Sequence, residues 1–331
     1  AWLSDTDTTN VVGTELVTNG TFDTDVSGWT TSGSYTYSNS QMVTTDTPIS
    51  VAYQVVSVSS GKLYTLSLDC SQNHVRVLDG ATGAEIVNTG GAVGGTGLSY
   101  TFKATSTSVK IRFSSVWSTT TVDNVSLKLV EEDRSVNNNG LQVNGTITKT
   151  AVATGADLVA YSGFSASNYL EQPYNADLDF GTGDFSVSFW AKRPAASGST
   201  TVILSKSPSG LITPPYFEFQ PASTMRWVGN NSSSRLISTT VFGTSWMFVV
   251  MTRISNVGSL YINGNLEASA TNNDNYNHSN TDTVRVGLRQ DGWLGSADQE
   301  CALLRISATA PTAAQILEIY NAEKPLFQEN A

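Results

Sequence analysis

The chain has 331 residues, 39% hydrophobic and only 14% charged, with 18 Lys+Arg against 28 Asp+Glu and a formal net charge of −10. A nucleic-acid-binding surface needs clustered Lys and Arg to displace counterions, so this balance argues against one. The longest apolar run, Trp246 to Met251, is far short of the ~20 residues of a membrane-spanning helix, so no membrane insertion is expected.

What replaces charge is polar and neutral: Ser and Thr make up about a quarter of the residues, against a usual ~25% for charged ones. Seven Trp and ample hydrophobics exclude a disordered chain. Two cysteines far apart, Cys70 and Cys301, give neither a disulfide framework nor zinc-ligand spacing, and both read as small buried hydrophobes.

Along the chain almost every segment reads as strand. Residues 51–58, 62–69, 75–78, 108–113 and 122–130 are short, rich in β-branched or aromatic residues, and in several cases alternate with period two. Ser59–Gly61, Asp79–Gly80 and the glycine-rich stretch Gly90–Gly97 are expected turns and hairpin loops. The polar, turn-rich stretch 131–140 is expected to be a linker. Strands resume at 185–191, 201–204, 216–219, 225–228, 246–252, 260–262, 283–287 and 302–306, with Asn263-Gly264 marking a tight hairpin. One helix is predicted over 312–323, with Thr312 and Gln315 spaced as a capping box and Pro325 beyond its end. This pattern predicts an all-β chain of two antiparallel β-sandwiches, or jelly rolls, in tandem with one short C-terminal helix. The expected divisions are an N-terminal arm 1–13, a first sandwich 14–130, a linker 131–140, a second sandwich 141–324 and a C-terminal extension 325–331.

Three stretches carry resemblances. The opening Glu15–Asp23 with Gly28-Trp29, together with Asp123 ahead of an apolar pair in the last strand, resembles carbohydrate-binding-module jelly rolls over about 14–130. Tyr161–Leu170, Asp177–Trp190, Trp246, Tyr261–Gly264 and Leu304–Tyr320 resemble laminin-G-like, concanavalin A-like sandwiches over roughly 141–323. The final stretch Arg305–Ala331 is similar to a segment of bacteriophage tail and tail-fibre proteins, which implies a fragment or processed piece of a virion protein.

The first resemblance implies a structural calcium ion held by Asp23 and Asp123, with the Thr21 carbonyl as third ligand; carboxylate and carbonyl oxygens suit that ion. In the second sandwich Ala302 stands where such domains often place an Asp, which weakens a second calcium site. Sugars are gripped by flat rings and neighbouring polar groups. The candidate glycan-binding residues are Tyr53, Trp117, Trp227, Tyr276 and Trp293, whereas Trp29, Trp190 and Trp246 are expected in the core.

No catalytic constellation is apparent. His74 lies in a strand-like stretch and His278 in an Asn-rich loop, and no Ser or carboxylate context marks either as a base of a catalytic triad. Asp298 and Glu300 have the spacing of paired acids on one strand face, but the third acid of glycanases built that way is missing. The expectation is a non-enzymatic virion protein of a phage tail or fibre, recognising host-surface or environmental polysaccharide. It would associate with other virion proteins and, by family analogy, form a homotrimer, extracellular when assembled. The alternatives are accessory modules of a secreted polysaccharide-degrading enzyme and a ligand-free structural decoration protein.

Overall fold

The computed structural model describes residues 2–3, 11–44, 50–115, 119–131, 140–193, 201–208, 217–221, 224–229, 235–277, 282–292 and 299–328. By contacts the chain divides into two compact units, Gly13–Glu131 and Glu132–Ala331, the latter joined by Ala1–Val12. Strand pairing in both is antiparallel, as the alternating sequence pattern requires.

In the N-terminal unit one sheet runs Thr30–Ser32, Val51–Ser57, Ser108–Ser115, the end of Leu63–Asp79, then Glu85–Asn88. The other runs Thr36–Ser38, Gln41–Thr44, Thr120–Glu131, the start of Leu63–Asp79, then Val93–Lys103. Leu63–Asp79 therefore belongs to both sheets. Separate strands were predicted at 62–69 and 75–78; the structure has one strand that changes sheet between them. Gln72 takes a positive φ of 45° at the crossing, and the next residue, Asn73, is fully buried. Asn73 accepts from the Tyr35 hydroxyl at 2.7 Å and donates to the Ser71 and Thr121 carbonyls. A polar side chain thus satisfies the backbone where the ladder is broken, which is how sandwiches make corners.

The glycine-rich stretch is likewise not a free loop: Val93–Lys103 is a strand that pairs with the crossing. A Cβ on Gly94 would stand 3.1 Å from the Gln72 amide, so close backbone approach explains a glycine there. Inward-facing Leu66, Ile111 and Phe113 join Phe22 and Trp29 in one core, all but Trp29 with no exposure. Each such fully buried chain contributes roughly 1.5–3 kcal/mol.

In the C-terminal unit the first sheet runs Asn265–Thr271, Val257–Ile262, Met247–Ile254, Phe185–Lys192 and Glu300–Ser307. Val159–Ser162 and Trp2–Leu3 both pair with the far side of Glu300–Ser307. Trp2 and Leu3, expected in an arm, are thus strand residues. The second sheet runs Tyr169–Gln172, Asp282–Val286, Leu204–Pro208, Phe217–Pro221, Thr224–Val228 and Arg235–Val241. The strand expected at 201–204 begins at Leu204 and runs to Pro208.

Leu141–Ala151, which polar residues hid from the sequence pattern, links the two sheets by pairing with Tyr169–Gln172 and then Val159–Ser162. Gly145 turns it at φ +64°, where a Cβ would collide with the Ser167 carbonyl.

Met247–Ile254 reads as a continuous apolar run because both its faces are covered. The outer face, with Trp190, Phe248 and Val250, packs beneath the helix Ala313–Glu323 and Phe327. The predicted capping box of Thr312 and Gln315 is present in both directions. Trp190 stacks on Phe327 at 4.2 Å and donates to Glu323 at 2.7 Å, so the C-terminal segment is fastened by an aromatic and a charged contact together. At the predicted hairpin Asn263 and Gly264 both have positive φ, as a type I′ turn demands.

Candidate functional site

The outward face of the N-terminal unit's first sheet carries Tyr53 together with Arg76, Lys110 and Arg112. Alternation sends Ala52, Gln54 and Val56 inward, so Val51, Tyr53 and Val55 point outward. In register, Tyr53 lies opposite Arg112, Arg112 opposite Arg76, and Arg76 opposite Asn88. The adjacent row is Val55, Lys110, Leu78 and Glu85. Beyond the first row on its other side, Ser114 faces His74. Neighbouring strands are ~4.8 Å apart, so Tyr53 to Arg76 spans about 10 Å.

Tyr53, predicted as a stacking ring, is half-buried, and the Lys110 ammonium stands over it at 4.8 Å from the centroid. Arg76 pairs with Glu85 at 3.3 Å. The Nε atoms of both Arg76 and Arg112 are buried with no hydrogen-bond partner among the described residues. His74, expected to be structural, is half-buried on this same face.

Trp227 and Tyr276 are corrections: each is 1% exposed, so neither ring is open to a sugar. Tyr276 is a lid on a buried cation. Arg253, itself 1% exposed, lies 5.0 Å from the ring centroids of Phe185 and of Tyr276. It donates to the carbonyls of Gly181, Gly183 and Asp274, and burial lowers its pKa. The Tyr276 hydroxyl meets Asn272 and Asp274 at 3.1 and 3.2 Å, and burial raises its pKa. Trp227 packs edge-on against Tyr276. Truncating either buried ring would cost about 3–5 kcal/mol. Beside them the Lys206 ammonium donates to the Tyr276 carbonyl at 2.8 Å and to Asp282, with Asp179 at 3.7 Å. Nothing in the sequence marked Arg253 or Lys206, because both lie within ordinary strand patterns. Trp117 and Trp293 lie outside the described residues.

The predicted metal ligands come partly together. Thr21 donates its hydroxyl to Asp23 at 2.9 Å. The Val125 amide donates to the Gly20 carbonyl at 2.9 Å, setting the opening loop against the strand that carries Asp123. Asp123 accepts from the Asn124 amide. Among the described residues no three His, Cys, Asp or Glu side chains converge as a metal site.

Of the paired acids, Asp298 lies outside the described residues and Glu300 is held by Lys192 at 3.3 Å. Gln299 between them is buried and bonded to Thr201. His278 also lies outside the described residues. Trp190 and Trp29 are core as expected, while Trp246 is half-buried, donates to the Val152 carbonyl at 2.9 Å and lies beneath Lys192.

Residues 164–317 match a family model described as the concanavalin A-like lectin/glucanases superfamily, of laminin-G type. The C-terminal unit, which contains this stretch, has a concanavalin A-like fold, an antiparallel jelly roll. No curated protein matches the chain significantly. Among solved structures, the receptor-binding domain of botulinum neurotoxin C/D mosaic serotype is similar at 19% identity and TM-score 0.46, over 59% of this chain and 48% of that one. The binding domain of Paraclostridial Mosquitocidal Protein 1 is similar at 15% identity and TM-score 0.45, over 58% and 49%. The botulinum neurotoxin serotype D ligand-binding domain, solved with N-acetylneuraminic acid, is similar at 19% identity and TM-score 0.45, over 59% and 48%. The aligned part spans about half the length of each of these structures.

Proposed function

We propose that this chain is a non-enzymatic glycan-recognising protein of a phage tail or fibre, with host-surface polysaccharide as its ligand. The observation that carries the reading is the outward face around Tyr53, where a ring and several hydrogen-bond donors are held in fixed cross-strand register on a rigid sheet. The match of residues 164–317 to a family that includes lectins supports a sugar-directed protein. The similarity of Arg305–Ala331 to tail-protein segments supports the virion setting. Many weak contacts would be multiplied by copy number in such a particle.

The non-enzymatic part rests on the sequence, which gives neither histidine the context of a catalytic base and lacks the third acid of a paired-acid glycanase. Asp23, Asp123 and the Thr21 carbonyl would supply the hard oxygen donors for a calcium ion stabilising the N-terminal unit.

A glycan array probed with the full chain, followed by a reducing-end assay on each glycan bound, tests this reading. Binding without release of reducing ends is expected. Glycan cleavage would transfer the chain to the polysaccharide-degrading class, and an array without any binding would leave a structural decoration protein. Light scattering of the isolated chain tests the homotrimer.

A further inference from the structure

We infer that the outward face around Tyr53 and Arg112 binds an acidic, carboxylate-bearing polysaccharide rather than a neutral one. This inference rests on the glycan-binding reading of that face and names its ligand class. Residues 13–131 contain six Lys and Arg, against nine Asp and Glu. Three of the six, Arg76, Lys110 and Arg112, share this one face in adjacent register positions, with His74 beside them. Glu85 is the acid among them, and it is committed to Arg76 at 3.3 Å.

Like charges directly opposite on neighbouring strands repel, and Arg112 lies opposite Arg76. The fold tolerates that repulsion inside a unit whose net charge is negative, where acidic partners for Arg112 would be easy to supply. Buried donors normally find acceptors, yet the Nε atoms of Arg112 and Arg76 have none among the described residues. Arg112 and Arg76 stand at directly opposed positions and are partly exposed with their Nε atoms buried, so their terminal N–H groups are the donors that a ligand carboxylate would meet. Tyr53 fits the same purpose. Its ring is covered by the Lys110 ammonium, so the ring orients a cation rather than offering a bare face to a neutral pyranose. A charge pattern confined to one sheet face within an acidic chain selects an anionic polymer locally while the rest of the surface repels it, which favours specificity over affinity.

The test is isothermal titration of the full chain with three probes: an oligosaccharide made only of hexuronates, its carboxyl-reduced neutral counterpart, and single-stranded DNA of equal charge. The expected result is salt-sensitive binding of the hexuronate, with at least about tenfold weaker affinity for the neutral form. Arg112→Gln and Arg76→Gln should each weaken hexuronate binding about tenfold or more with circular dichroism unchanged. Lys103→Gln, exposed on the other sheet, should leave it unchanged. Equal binding of the neutral counterpart, unaffected by Arg112→Gln, would overturn the acidic ligand and leave the glycan reading standing. Binding of DNA as tightly as hexuronate would overturn a polysaccharide ligand. No binding of either oligosaccharide would overturn the inference, and a glycan array that is also blank would remove the glycan reading with it.

Discussion

The Lys110 ammonium stands 4.8 Å from the centroid of the Tyr53 ring, on an outward sheet face whose next strand carries Arg76. A ring and a cation that hold one another are pre-organised, and a partly exposed pair of this kind is worth about 0.5–1 kcal/mol. Tyr53→Leu should therefore change stability by no more than about 1 kcal/mol in thermal unfolding. It should nonetheless weaken hexuronate binding severalfold, because Lys110 loses the surface that aims it. A large loss of stability would make Tyr53 a core residue instead.

Lys206 has the opposite character. It is 2% exposed and neutralises Asp282 and Asp179, which lie on two different segments. Lys206→Met leaves these carboxylates without their cation, and breaking such a buried pair costs about 3–5 kcal/mol. Urea unfolding should show that loss. Adding Asp282→Asn should recover part of it, since the second change removes a stranded charge. An additive double variant would mean the two side chains do not interact.

Both cysteines are free and buried. Burial pushes the Cys301 thiol up to about 12 and raises Cys70 as well. The thiolate is the reactive form, so at about pH 8 a disulfide reagent should release no colour from the folded chain. In concentrated guanidinium both of the chain's two thiols should react. Fast reaction in the folded state would show that one of these strands opens readily.

Calcium addition should raise the melting temperature of the N-terminal unit, and EGTA should reverse the rise. An ion present at 100 times its Kd adds about 2.7 kcal/mol, a shift of several degrees or more for a unit this size. Asp123→Ala should abolish the response. No shift with EGTA and none with Asp123→Ala would remove the metal from the account.

The sequence made the fold class readable because alternation is a backbone property. Val51–Ser57 and Ser108–Ser115 show it plainly, and capping at Thr312 and the turn at Asn263 follow from short-range chemistry. It hid what depends on distant partners. The single strand Leu63–Asp79 looked like two because its crossing is held by Asn73, whose partners Tyr35 and Thr121 are remote in sequence. Tyr276 looked like a surface ring in a polar loop; Arg253, also remote, draws that loop inward. Of the candidate glycan residues Tyr53 alone among the described ones is on an open face, and the cations beside it were not legible because register, not spacing, aligns Arg112 with Arg76.

The most direct measurement is an NMR titration of the full chain that follows the arginine Nε–H resonances as hexuronate oligosaccharide is added. The Nε–H signals of Arg112 and Arg76 should move together and saturate, while that of Arg253, sealed beneath Tyr276, stays in place. Saturating binding that leaves Arg112 and Arg76 unmoved would contradict the account.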